Sequence, residues 1–195
     1  MGILEYILQF DQQLFHFLNH THTPMGDVFF ATISKTTPWI PIYALLLLII
    51  YRKFGLYQTL LILASITVLI TLADQTASGF LKPYFQRFRP CRPEAMLPFE
   101  VMTVANKCGH SYGFVSSHAA NFFALATFLS ILFKHKTASI LMLTVAFIVG
   151  FSRIYLGVHF PLDVFFGGLV GVFWAKIVWE FYQAMLITTS IQVPS

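Results

Sequence analysis

The sequence predicts an all-α integral membrane protein, a bundle of about five transmembrane helices preceded by an N-terminal interfacial helix. Two observations predict this class. Of the 195 residues, 57% are hydrophobic and only 10% are charged, whereas a soluble domain carries about 25% charged residues. The apolar residues are also concentrated in five segments separated by polar or basic connections. We therefore expect a single membrane domain over residues 1–195.

The N-terminal part, residues 1–37, is predicted to lie along the membrane surface. Polar Glu5, Asp11 and His16 alternate there with apolar side chains at roughly helical spacing, a pattern typical of interfacial helices. The apolar set is Ile3, Leu4, Ile7, Leu8, Phe15 and Leu18. Because the segment has no basic n-region and no small-residue cleavage site, we do not expect a signal peptide.

The transmembrane bundle is predicted over residues 38–186. Its five apolar segments are residues 38–51, 55–81, 118–133, 137–152 and 161–186. A span needs about 20 residues to cross a hydrocarbon core of about 30 Å, so the short first and fourth segments are expected to extend beyond their apolar runs. The basic turns at 52–56 and 134–136 then fall on one face. The long polar loop 82–117 and the link 153–160 fall on the other.

The charges and cysteines bear on orientation. The positive-inside rule places the two basic turns in the cytoplasm, although loop 82–117 is itself basic. Cys91 and Cys108 both lie in that loop. We expect a disulfide between them, two unpaired thiols being the alternative, and disulfides persist in oxidising compartments. The expected location is the bacterial inner membrane, with the loop facing the periplasm or exterior.

The first polar cluster, "KPYFQRFRP" (residues 82–90), follows the second apolar segment. Lys82 and Arg89 are seven residues apart, so two helical turns are predicted to bring them to one face, with Arg87 facing elsewhere. The alternative is that basic side chains at a helix end simply extend towards water.

The second cluster, "GFVSSHAANFF" (residues 113–123), opens the third apolar segment. Ser116 or Ser117 can cap the helix that follows. The first turn of that helix offers free N–H groups and the positive end of the helix dipole to a phosphate, and His118 lies beside it. The alternative is an ordinary helix cap next to an interfacial histidine.

The third cluster, "SRIYLGVHFPLDV" (residues 152–164), lies between the last two apolar segments. Pro161 suits the first position of the last helix. Asp163 then falls in the first turn, from which its carboxylate can reach back to His159 and fix the imidazole tautomer. The alternative is a histidine that only anchors the loop.

All three clusters are predicted to meet at one membrane face. A helix N-terminus, two histidines and a carboxylate would converge there with the cations of Lys82, Arg89 and Arg153. Charged groups at membrane depth are costly and usually functional. Such a pocket suits a dianionic phosphoryl group.

The order and spacing of the clusters resembles the three-part signature of the type 2 phosphatidic acid phosphatase superfamily. The resemblance runs from about residue 25 to residue 185. The matching motifs are Lys82-x6-Arg89-Pro90, Ser116-Ser117-His118 and Ser152-Arg153-x5-His159-x3-Asp163. One of these motifs departs from the family. Its usual Pro-Ser-Gly-His reads Val115-Ser116-Ser117-His118 here, so a side chain narrows the approach to the backbone N–H at 117.

The resemblance implies a membrane lipid phosphatase. His159 would attack phosphorus and form a phosphohistidine, Asp163 would orient it, and His118 would protonate the leaving oxygen. The groups expected to hold the phosphoryl oxygens are Lys82, Arg89, Arg153, Ser116 and the Ser117 N–H. No cofactor is expected, since no Cys, His and carboxylate spacing suggests a metal site. The expected partners are a lipid phosphate and the bilayer, with no nucleic acid; the oligomeric state is left open.

The substrate also stays open at this point. Undecaprenyl diphosphate, phosphatidylglycerophosphate, phosphatidic acid and the phosphates of lipid A are all candidates. A non-catalytic phospholipid-binding or transport protein is the alternative from another class, although binding alone requires neither a nucleophile nor an acid. Vanadate-dependent haloperoxidases share a similar anion pocket, but their soluble nature does not fit this composition.

Overall fold

A computed structural model describes residues 2–104 and 107–188, so residues 1, 105–106 and 189–195 of the predicted domain lie outside the described part. The regular structure of the described part is helical, which confirms the all-α class. Its α-helices are α1 (Ile3–Asn19), α2 (Pro24–Ile33), α3 (Ile40–Asp74), α4 (Lys82–Phe85), α5 (Ser117–Phe133), α6 (Lys136–Tyr155) and α7 (Pro161–Thr188). A π-helical segment, Gln75–Leu81, joins α3 to α4, and short 3-10 turns occupy Thr37–Trp39 and Pro93–Ala95.

The apolar helices agree closely with the predicted segments. Within the described residues, three helical stretches are long and apolar enough to cross a membrane, namely Thr37–Phe85, Lys136–Tyr155 and Pro161–Ile187. The 17-residue α5 is a shorter apolar helix. The count of five spans stays a prediction.

The predicted basic turn between the first two apolar segments lies within α3, at a break. Gly55 has φ 74° and ψ 174°, a conformation that glycine adopts readily and other residues rarely. Trp39, just before α3, packs against Phe122 with 5.0 Å between ring centroids, while Asp74 at the other end accepts a hydrogen bond from Asn121 at 3.4 Å. A straight helix of 35 residues would hold its ends about 52 Å apart. The chain therefore reverses at Gly55, and the two halves of α3 run antiparallel.

Helices α5 and α7 form a closely packed pair. A Cβ built on Gly167 would overlap the carbonyl oxygen of Ser116, and one built on Gly171 would overlap that of Ala120. Small residues at such interfaces let membrane helices approach closely. The first turn of α7 is thereby held beside the first turn of α5, which brings two of the three polar clusters together.

Helix α1 packs on the same end of the bundle. Phe15 is fully buried against Phe160, with 5.2 Å between ring centroids. The Asn19 amide donates hydrogen bonds to the carbonyls of Met102 and Tyr155, both at 2.9 Å, and its oxygen accepts from the Met102 N–H. Phe15 therefore faces protein rather than the membrane interface. Other apolar side chains of α1, such as Ile3, Leu4, Phe10 and Phe17, are exposed, and its interfacial position stays a prediction.

Candidate active site

His159 lies in the link between α6 and α7 and is only 1% exposed. Its Nδ1 is 3.4 Å from Oδ2 of Asp163, which is fully buried. The same oxygen accepts the Phe160 N–H at 3.0 Å, the reach-back contact that caps the start of a helix. Since α7 begins at Pro161 as the sequence predicts, one carboxylate both starts the helix and faces the imidazole.

Arg89 lies against the other nitrogen of that imidazole. Its Nη1 is 3.2 Å from Nε2 of His159 and donates to the Val158 carbonyl at 3.2 Å. When Nδ1–H points to Asp163, Nε2 carries the lone pair. A fixed guanidinium is thus within hydrogen-bond distance of the nitrogen that would attack phosphorus. Nε of Arg89 is buried without a hydrogen-bond partner in the described part of the chain.

Lys82 and Arg89 do not share a helix face, so that part of the prediction is wrong. Helix α4 ends at Phe85, and Gln86 adopts a left-handed conformation with φ 48°. Arg89 is instead positioned by its N–H, which donates to the carbonyl of Ser111 at 3.1 Å beside an antiparallel bridge. The two side chains still lie close enough to His159 for their charges to act on it.

The second cluster forms the start of α5. Ser116 is the N-cap: its Oγ accepts the Ala119 N–H at 3.4 Å, and its own N–H donates to the Asp163 carbonyl at 2.9 Å. Oγ of Ser117 accepts a hydrogen bond from Nζ of Lys82 at 2.8 Å. His118 follows in the first turn, where its imidazole contacts the backbone of Ser34.

Arg153 completes the cationic group from the last turn of α6. Its Nη1 donates to the hydroxyl of Ser34, which places it near His118. Burial lowers the pKa of the His159 imidazole well below its usual 6.5, and the charges of Arg89 and Arg153 act in the same direction. His159 is therefore neutral near neutral pH, as a nucleophile must be.

Arg87 and Asp11 are site residues that the sequence analysis missed. Arg87 donates from Nη1 to Oδ1 of Asp163 at 2.8 Å and from Nη2 to Oδ2 of Asp11 at 2.6 Å. The prediction that Arg87 faces elsewhere is therefore wrong. Asp11 also accepts the Leu162 N–H at 2.9 Å. Burial raises the pKa of the Asp11 carboxyl, and the charge of Arg87 opposes that rise. No local signal connects these residues, which are 76 positions apart.

The loop that carries Arg89 is closed by a covalent bond. Cys91 and Cys108 form a disulfide, with 5.7 Å between their Cα atoms. Arg92 crosses the same loop and donates to the carbonyl of Gly109. Gly113 then passes so close to the site that a Cβ there would lie 3.0 Å from Oδ2 of Asp163. The loop thus closes over one side of the site.

An apolar cavity of about 490 Å³ opens beside the site. Its walls are the two halves of α3 and one face of α5, and it ends at Ser117 and His118. In the described residues, no group of three or more His, Cys, Asp or Glu side chains is arranged to hold a metal ion.

Residues of all three motifs thus lie close together in the folded protein. The order of the motifs along the chain is explained by the family whose sequence profile matches it. The sequence profile of the PAP2 superfamily matches residues 58–186, which include all three clusters. The chain belongs to the PAP2 superfamily. The sequence-based prediction of the family is confirmed.

This PAP2 protein is 37% identical over 180 residues to the lipid A 4'-phosphatase of Bacteroides thetaiotaomicron, covering 92% of this chain and 79% of that protein. It is 35% identical over 179 residues to the lipid A 4'-phosphatase of Porphyromonas gingivalis, covering 92% and 75%. The crystal structure of Aquifex aeolicus LpxE is similar with a TM-score of 0.68 and 28% identity, covering 86% of this chain and 93% of that chain. The chain is an integral membrane lipid phosphatase, and nothing in these similarities supports the binding or transport alternative.

Proposed function

We propose that this PAP2 phosphatase hydrolyses a phosphate group of a membrane lipid through a phosphohistidine at His159, without a metal ion. The proposal rests on the two contacts made by the buried imidazole of His159. Its Nδ1 faces the Asp163 carboxylate at 3.4 Å and its Nε2 faces the Arg89 guanidinium at 3.2 Å. A neutral, oriented nitrogen beside a fixed cation is what attack on a phosphoryl group requires.

The reaction would proceed in two displacements. In the first, Nε2 of His159 bonds to phosphorus while the bond to the lipid oxygen breaks, and His118 donates a proton to that oxygen. In the second, His118 accepts a proton from water as the water oxygen attacks phosphorus, the P–N bond breaks, and inorganic phosphate leaves. Asp163 holds the tautomer of His159 and stabilises its cationic form throughout.

Charge on the phosphoryl oxygens would be balanced by the protein itself. Arg89, Arg153 and Lys82 supply fixed cations, and the Ser117 N–H lies in the first turn of α5, with Ser116 as its cap. Preorganised donors of this kind stabilise the transition state most in a site that excludes water. The contact between Lys82 and Ser117 at 2.8 Å keeps the ammonium at the mouth of that turn.

The substrate is proposed to be a phosphate monoester of the lipid A type. The lipid A 4'-phosphatases, which cover nine-tenths of this chain, favour it over undecaprenyl diphosphate, phosphatidylglycerophosphate and phosphatidic acid. The cavity of about 490 Å³ beside His118 supports a substrate with hydrocarbon chains, which would enter from the bilayer between α3 and α5.

The site is proposed to face the periplasm or exterior of a bacterial inner membrane. The disulfide supports this orientation because it lies in the loop over the site and needs an oxidising compartment. The basic turns containing Arg52, Lys53, Lys134 and Lys136 lie at the opposite ends of the helices, where the positive-inside rule expects cytoplasm.

Phosphate release from purified lipid phosphates tests the proposal. The wild-type protein should release phosphate from a lipid A-type monophosphate, and His159→Asn should release none while still binding the lipid. His20→Asn, which alters an exposed histidine, is the matched control and should keep full activity. Equal release by wild type and His159→Asn would overturn the assignment of the nucleophile.

A further inference from the structure

Asp74 and Asn121 are polar side chains in the wall of the cavity beside the site, and the proposed chemistry uses neither of them. Asp74 comes from the end of α3, and Asn121 comes from α5. Most of the remaining wall is aliphatic, including Leu46, Ile66 and Ile70. A carboxylate and an amide in such surroundings are costly at membrane depth and are usually functional.

The orientation of the Asn121 amide follows from its contact with Asp74. Nδ2 of Asn121 donates to Oδ1 of Asp74 at 3.4 Å. In this contact the NH₂ group faces Asp74, so the amide oxygen faces away from it. That oxygen is buried and has no hydrogen-bond partner in the described part of the chain. The pair therefore holds an unused acceptor in the wall of the cavity.

The amide oxygen of Asn121 lies near the place where the proposed function puts the substrate phosphate. Asn121 follows Ser117 by four residues and His118 by three, so all three lie on one face of α5, with Cβ atoms one turn apart separated by about 5–6 Å. On the other wall, the charge of Asp74 acts on Lys82, which places the carboxylate near the same phosphate end. A group bound by the pair would lie within a few bonds of the phosphate.

We propose that Asp74 and Asn121 form a head-group selectivity site, which accepts a hydrogen bond from a hydroxyl or amide N–H close to the phosphate-bearing carbon. The inference rests on the proposed function, which puts the phosphate at His159. N-acylated sugar phosphates and glycerol phosphates with a free hydroxyl carry such a donor. Polyprenyl diphosphates and phosphatidic acid carry none apart from the phosphate itself. The site would therefore favour the first two lipids over the last two.

The physical basis is the cost of leaving a buried acceptor unpaired. A site built to bind a substrate hydroxyl or N–H rejects the analogue that lacks it much more strongly than an apolar pocket rejects a missing methylene. A purely structural role for the pair, such as a counter-charge for Lys82, would instead affect all phosphorylated lipids alike. The ratio of turnover between lipids with and without the donor separates the two roles.

The test compares kcat/KM of the full-length wild type and Asn121→Leu in detergent micelles. The probes are a monophosphorylated lipid A and phosphatidylglycerophosphate, which carry donors, against phosphatidic acid and undecaprenyl diphosphate, which do not. The ratio of kcat/KM between the two groups should fall about tenfold or more in Asn121→Leu. Gln183→Leu is the matched control, because it makes the same change from amide to leucine at an exposed position of α7, and its ratio should stay at the wild-type value.

Each outcome decides the inference. A ratio that stays at the wild-type value, or an equal loss on all four lipids, overturns it while leaving the phosphatase function intact. Failure of the wild type to release phosphate from any of them overturns the proposed function and the inference with it. Should Asn121→Leu fail to fold, Asn121→Ala also removes the acceptor without adding bulk, and the same fall in ratio is expected.

Discussion

Gly167 is the position where a single methyl group tests how the site is built. Alanine is ordinarily more stable than glycine inside a helix by about 0.5–1 kcal/mol. At 167, however, the added Cβ would overlap the Ser116 carbonyl oxygen and lie 3.2 Å from Cβ of Ala119. The first obstacle is backbone rather than the end of a flexible side chain, so α5 and α7 would have to separate by roughly half an ångström.

That separation acts on the catalytic groups directly. The Ser116 N–H donates to the Asp163 carbonyl at 2.9 Å. Separation of the two helices would therefore move the proposed phosphate-binding end of α5 away from Asp163 and His159. A misplacement of about 1 Å can cost about 100-fold in rate, and we expect Gly167→Ala to lose about tenfold or more in kcat. The assay is the initial rate of phosphate release in detergent micelles, with Tm measured in parallel.

The neighbouring Gly168 supplies the matched control. The three atoms nearest to a Cβ there all belong to the ring of Phe123, the closest at 3.2 Å, and a side chain yields more easily than backbone. We expect Gly168→Ala to keep kcat within about threefold of wild type, since its nearest contacts are with a side chain rather than with the backbone. If Gly167→Ala were as active as Gly168→Ala, the close packing of Gly167 against Ser116 would not be what positions the site.

Three further predictions concern the charges of the site. Arg89→Met should shift the acidic limb of the pH profile of kcat/KM to higher pH. Burial and the positive charge of Arg89 together hold the pKa of His159 below 6.5, and the substitution removes that charge. A limb that stays at the same pH would show that it reports titration of the substrate phosphate instead. Arg87→Lys should lower kcat about tenfold or more with little change in KM, since one ammonium cannot bridge Asp11 and Asp163 as the two guanidinium nitrogens do; a wild-type kcat would contradict this. Activity should persist in EDTA and be inhibited by vanadate, whereas dependence on added Mg²⁺ would contradict a site whose own cations balance the phosphate charge.

The parts of the site that the sequence predicted well are those specified by local signals. Ser116 caps α5 and Pro161 opens α7, because a hydroxyl acceptor and a fixed φ favour those positions whatever surrounds them. The contact of His159 with Asp163 is similarly local, since four residues separate them at the start of a helix. The apolar segments 118–133, 137–152 and 161–186 lie within α5, α6 and α7, because long runs of apolar residues are themselves the signal of a membrane helix.

The parts that were missed depend on contacts between distant residues. The helical spacing of Lys82 and Arg89 assumed a helix that in fact ends at Phe85, and Arg89 is positioned by strand-like pairing with Ser111 instead. The partnership of Arg87 with Asp11 joins two elements whose proximity only the folded bundle creates. Periodicity within one segment carries no information about either contact.

The chemical identity of the phosphoenzyme is the most direct test of His159 as the nucleophile. The wild-type protein and His118→Asn would be mixed with a lipid carrying radiolabelled phosphate, quenched rapidly in alkali, and digested for peptide mapping. A phosphorus–nitrogen bond survives alkali and is lost in acid, so a phosphohistidine is distinguishable from a phosphoserine. We expect acid-labile label on the peptide containing His159 in the wild type and at the same position in His118→Asn, and none in His159→Asn. Label on a serine, or none while phosphate is being released, would contradict it.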